Sequence, residues 1–264
     1  MNRHASCTTL FVAVVAVVAV AFLVGEAGVQ TEPRSATRNS KWWSQVEPID
    51  GSLHKGRWKY ARRNATRLTR TILNESWKDR ELDEILAELS LYRAVAEVNL
   101  GQRDRASWFW HTALNLNRRI SERDLTPYGP AAASLSETPL RERGEIPSGF
   151  LTGGVRPDGP VSPPGFPDVT VPTLLDNSGA ARQRSADFEV EVLVDETGNL
   201  HQPVVVSRHL NPVAIFACLD WLYGVPSLEP ARFNGQPAVA TYTVFIEFLI
   251  SPYSGALVIT EEPD

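Results

Sequence analysis

The amino-acid sequence predicts an α+β protein: a helical region, a proline-rich linker, then a unit built in the order strand, strand, helix, strand. Three observations predict it. Between Trp42 and Ile120 apolar residues recur at three- and four-residue steps, the period of a helix buried on one face. Ten prolines then fall between Pro127 and Pro172, too many for regular helix or central strand. From Phe188 onward apolar and polar residues alternate with a period of two.

The 264 residues carry a net charge of -5, which argues against nucleic acid as a partner, because phosphate binding needs an excess of Lys and Arg. One basic run, Lys55 to Arg70, stands out and reads as the solvated face of a helix. The two cysteines, Cys7 and Cys218, are not expected to pair. Cys7 adjoins an apolar segment and Cys218 falls in an apolar helix, where a thiol acts as a small hydrophobe.

The chain opens with Arg3 and His4, an apolar run from Leu10 to Val24, and the small residues Gly25, Ala27 and Gly28. This is the order of a secretory signal, and also of a short membrane anchor. Both place residues 1–28 at a membrane, with Arg3 inside and the remainder exported. Residues 29–41 are polar and are expected to be a tether.

Residues 42–120 form the helical region. An early helix is expected from about Leu53 to Trp77, with Trp58, Ala61, Ala65, Leu68, Ile72 and Leu73 inward. A second carries Leu82, Ile85, Leu86, Leu89, Tyr92, Val95 and Ala96, capped by Asp79 and ended by Gly101. A third runs from Arg103 to Arg119. The cluster Trp108, Phe109, Trp110 suits a core better than a peptide-binding surface. Residues 121–184 are expected as an extended linker of roughly 3.1 Å per residue, with one short strand near Val169 to Leu175.

In the last region, 185–252, Phe188, Val190, Val192 and Val194 alternate with Glu189, Glu191 and Asp195 as a half-buried strand. Gly198 makes the turn into a second strand at Val204 to Val206. Asn211 caps a helix with Pro212 at its first position, running to about Tyr223. Asn234-Gly235 is a turn signal, and a long strand follows from Val239 to Ile250. Residues 253–264 form a tail.

Two resemblances attach to these residues. Ala94, Gly101, Ala106, Trp110, Ala113 and Leu114 resemble one tetratricopeptide repeat, with small residues where two helices approach closely. The segment Val190 to Gly198, with Trp221 and the run Pro230-Ala231-Arg-Phe-Asn234-Gly235-Gln-Pro237, resembles the TonB C-terminal domain over about a quarter of the chain. That resemblance implies a ββαβ module in the bacterial cell envelope that grips an outer-membrane TonB-dependent receptor by strand pairing. It also implies coupling to an ion-driven motor complex of the inner membrane. Tyr242, Val244, Ile246 and Phe248 on the last strand are the candidate partner-binding residues. Gly198, Trp221, Pro230, Ala231, Asn234, Gly235 and Pro237 are the family-signature positions.

The anchors of energy transducers in that family carry a histidine, and none lies within Leu10 to Val24. This favours an alternative: a periplasmic adaptor or scaffold that binds other proteins through its helices. Catalysis has no foothold. His4, His54, His111, His201 and His209 are scattered without metal-ligand spacing, and no phosphate loop or nucleophile motif occurs. No enzyme activity, metal or cofactor is therefore expected.

Overall fold

The structure is a computed structural model that describes residues 41–75, 82–150, 174–175, 184–207 and 211–251. These lie in one compact unit, Arg38–Asp264. The N-terminal apolar run lies outside the described residues. No helix among the described residues is long and apolar enough to cross a membrane. The fold is α+β, as its periodicities predict: helices fill the first half, and a small mixed sheet lies near the C-terminus.

The helical half begins with α1 (Trp43–His54) and α2 (Trp58–Glu75). The sequence suggested a single helix starting at Leu53. Instead Leu53 closes α1, and Gly56 at φ +66 turns the chain before α2. Positive φ is cheap only without a Cβ, so this glycine sets the break. Then come α3 (Leu82–Asn99) and α4 (Arg103–Leu116), joined across Gly101 at φ +78. α3 is buried nearly all round, including Glu88, Ser90, Arg93 and Glu97. It is the central helix, packed by α1, α2, α4 and two later helices. Trp108, Phe109 and Trp110 are all buried, so the aromatic cluster is core.

The proline-rich stretch does not begin as an extended arm. Residues 118–122 and 126–128 form 3-10 turns, α5 spans Pro130–Ser136, and a further 3-10 turn covers 148–150. Pro127 and Pro130 stand at helix starts, where a missing N–H costs nothing because the first turn leaves those donors unbonded. Tyr128 folds back so that its hydroxyl donates to Asp50 on α1, and Arg123 pairs with Glu88 on α3. Residues 151–173 and 176–183, about half of the expected linker, lie outside the described residues.

The sheet has the order β1-β6-β2-β3: β1 (Leu174–Leu175), β2 (Arg184–Val194), β3 (Leu200–Val205) and β6 (Ala240–Ser251). β2 pairs antiparallel with β3 and with β6, while β1 pairs parallel with the end of β6. α6 (Pro212–Tyr223) follows β3 and is capped as its sequence predicts, with Asn211 Oδ1 accepting from Val213 N at 2.8 Å. β4 (Arg232–Phe233) and β5 (Gln236–Pro237) make a two-residue hairpin. Its turn residues Asn234 and Gly235 sit at φ +51 and +80, the left-handed pair that such a turn demands.

One core runs through both halves. Phe188, Val190, Val192, Val194, Val244 and Ile246 on the inner sheet face belong to the same buried cluster as α6 and the N-terminal helices. α6 is the wedge. Its Tyr223 ring lies 5.0 Å from Phe109 and 5.9 Å from Trp108. Its Asp220 accepts from Arg93 of α3 at 2.9 Å, and that guanidinium stacks 3.6 Å over the Phe109 ring.

Candidate functional site

A strand at the edge of a sheet presents unpaired backbone groups, so the two edges of this sheet are where an extended partner could add. They are built differently.

At the β3 edge, the last turn of α4 delivers Asn115 against the strand. Its Oδ1 accepts from Val205 N at 2.8 Å, and its Nδ2 donates to Pro203 O at 2.7 Å and to His111 O at 2.8 Å. One side-chain amide thus does what a neighbouring strand's peptide group would do. Pro203 itself has no N–H to offer, which suits an edge strand. Opposite it the ladder is irregular between Glu191 and Leu193, and Gln202 takes φ +45, as at a β-bulge.

The outer face of the same two strands is covered by the segment after α5. Arg141, buried, donates to Glu191 Oε1 at 2.6 Å, to the Glu145 carbonyl at 2.9 Å and to the Gln202 carbonyl at 3.4 Å. Gly144 N donates to the same Glu191 oxygen at 2.8 Å. Both charges are nearly dry, so each depends on the other and on these added bonds. Phe150 then packs against His201, with ring centres 5.0 Å apart and the planes tilted by 57°. This cover explains why Leu193, on the polar side of the alternation, is fully buried. A cleft of about 550 Å3 remains between Leu114, Arg118, Leu140 and Val204–Val206.

At the other edge, β1 pairs with β6 only at Ile250 and Ser251. No described strand pairs with that side of β6 between Ala240 and Leu249. Phe245, in the middle of this stretch, is 72% exposed on the face away from the core. The candidate residues divide here. Val244 and Ile246 are buried beneath α6's side of the sheet, and Tyr242 is half-buried against the same core. The Phe248 side chain lies outside the described residues. Tyr242, Val244 and Ile246 therefore pack toward the core, and Phe245 between them faces outward. Phe245 escaped attention because alternation assigns it to the polar face.

The signature positions shape the approach to β6. Gly198 at φ +85 is pressed against the backbone of Leu228: a Cβ there would lie 1.8 Å from the Leu228 carbonyl oxygen. The two segments are also bonded, Leu228 N donating to Gly198 O at 2.8 Å. Ala231 is fully buried, and its carbonyl accepts from Ala238 N at 2.8 Å, closing the loop that carries Pro230, Asn234, Gly235 and Pro237. Trp221 packs half-buried on the core.

The described histidines are locally bonded. His201 Nε2 lies 2.8 Å from Asp195. Burial pushes the Asp195 carboxyl up, but bonds from Thr197, His201 and Asn199 outweigh it and bring the group down to about 2. His111 is wholly buried with Nδ1 2.9 Å from the Ser107 carbonyl, and desolvation brings it down to about 4, so the ring is neutral. His54 stacks on Tyr128. Burial pushes the Cys218 thiol up to about 12, far from a reactive thiolate. No group of three His, Cys, Asp or Glu side chains suited to a metal occurs among the described residues. Comparison of the chain with protein-family profiles, curated proteins and solved structures finds no match.

Proposed function

We propose that this chain is a TonB-like binding protein of the bacterial cell envelope. It captures an extended segment of an outer-membrane receptor by adding it as a strand to β6. The observation that supports the reading is the stretch of β6 from Ala240 to Leu249, which no strand among the described residues pairs on its outer side, beside a β3 edge bonded by Asn115. Strand addition takes affinity from main-chain bonds and selectivity from alternate side chains, and Phe245 offers an apolar contact at the centre of that stretch. The Pro-Ala…Asn-Gly-x-Pro resemblance supplies the receptor and the envelope.

The same grip has two uses in this reading. Transmission of force from an inner-membrane motor calls for a long arm between membrane and module. A passive adaptor calls for a module braced against its own helices. The Arg93–Asp220 pair and the Tyr223 stacking on Trp108 and Phe109 favour the adaptor, which would also offer its helices to a second protein.

The test is capture of detergent-solubilised outer-membrane proteins on the immobilised full chain, with Phe245→Lys in parallel. A receptor retained by the wild type and lost with Phe245→Lys is the expected result. Equal retention by both chains, or no receptor on a folded wild type, would overturn the reading.

A further inference from the structure

One strongly basic surface among the described residues plays no part in strand capture. Between Lys55 and Arg70 the chain has seven Lys and Arg and no Asp or Glu. With a net charge of -5 overall, the remainder of the chain therefore carries -12. The structure sorts these cations by face. At 100° per residue, Lys59, Tyr60, Arg63, Arg67 and Arg70 of α2 fall within an arc of about 100°. All five are exposed, and Tyr60, at 56%, is one of two large exposed hydrophobics among the described residues. Ala61, Ala65, Leu68 and Ile72 occupy the opposite side and are buried. Arg62, at the flank, pairs with Glu97 at 3.4 Å. Lys59, Arg63, Arg67 and Arg70 pair with no carboxylate among the described residues.

We infer that this face of α2 docks on an anionic phospholipid surface. Three features select a membrane over other polyanions. The stripe is straight, about 17 Å from Lys59 to Arg70 at 1.5 Å per residue, and it lies on one helix face, as contact with a plane requires. Tyr60 within it is an amphipathic ring of the kind that settles at headgroup depth. The apolar run Leu10 to Val24 reads as a membrane-directed segment, and only 16 residues separate Val24 from Lys41. Each cation near such a surface strengthens partitioning about fivefold.

The test uses the full chain with Cys7→Ser and Tyr60→Cys, labelled at position 60 with an environment-sensitive fluorophore. Cys218 is buried and its thiol is pushed up to about 12, so it stays unlabelled. The chain is reconstituted in phosphatidylcholine vesicles with and without phosphatidylglycerol. The expected result is blue-shifted emission and quenching by a lipid-borne quencher only where phosphatidylglycerol is present. Molar salt should reverse it. Arg63→Gln/Arg67→Gln/Arg70→Gln, all at exposed positions, should weaken the response roughly 100-fold with an unchanged circular dichroism spectrum. A response independent of lipid charge, or untouched by the triple substitution, would overturn the inference. So would stronger binding of RNA or of an acidic protein than of the vesicles. Receptor capture is read on β6, so loss of either result leaves the other interpretable.

Discussion

The two edges of the sheet differ in what stands beside them. β3 has a helix at its side, an asparagine amide bonded to its backbone and an arginine-held segment over its outer face. β6 has a two-residue partner at one end and an exposed phenylalanine at its centre. Proteins blunt the edges they do not use, because an open one recruits strands. The contrast teaches that, among the described residues, one edge is bonded by a neighbouring side chain while the other is paired only at its end.

Substitutions can break that contrast in graded ways. The largest effect is expected from Arg141→Ala, which strands Glu191 as a lone buried charge. Denaturant unfolding should show a loss of about 3–5 kcal/mol, and Arg141→Met with Glu191→Leu should recover much of it. Acid comes next. The His111 ring is neutral when folded, down to about 4 against an ordinary 6.5, so the unfolded chain binds the extra proton first as pH falls. Its contribution is intact above about pH 6.5 and is lost progressively toward pH 4, to a total of roughly 3 kcal/mol. Unfolding curves across that range should flatten in His111→Leu.

Asn115→Ala leaves Val205 N–H and the Pro203 carbonyl without their partner and should cost about 1–3 kcal/mol. If the asparagine is the guard of that edge, this variant should also self-associate in sedimentation while the wild type does not. The smallest effect on stability is expected from Phe245→Lys, within about 0.5 kcal/mol, because the side chain is exposed. A charge there should abolish strand capture, which separates binding from folding.

Much of the fold was legible in the sequence. The helices Leu82–Asn99 and Arg103–Leu116, the Asn211 cap and the Asn234-Gly235 turn all lie where local chemistry puts them. These features depend on residues a few positions apart. What was not legible depends on distant partners. Arg141 lies among prolines and charges that read as solvated linker, and its burial requires Glu191, 50 residues away. Asn115 reads as one more polar residue at a helix end until β3 arrives beside it. Val244 and Ile246 were visible as one face of a strand. Alternation identifies faces but says nothing of which backbone edge is left open, since that follows from strand order. Gly56 was visible as a residue but not as the boundary between two helices, because the apolar period continues across it.

The Asn115 contact also bears on the order in which the chain acquires its structure. It joins positions 90 residues apart, while α3 and α4 meet across a three-residue turn. Short closures form sooner than long ones, and a chain emerging from synthesis presents its N-terminal part first. The helices are then assembled before β3 exists, with the Asn115 amide already aimed at the place the strand will take. By the same rule β2 and β3, separated by only five residues, pair before the hairpin reaches the helices, so the amide acts as a latch: it fixes where an already registered hairpin seats.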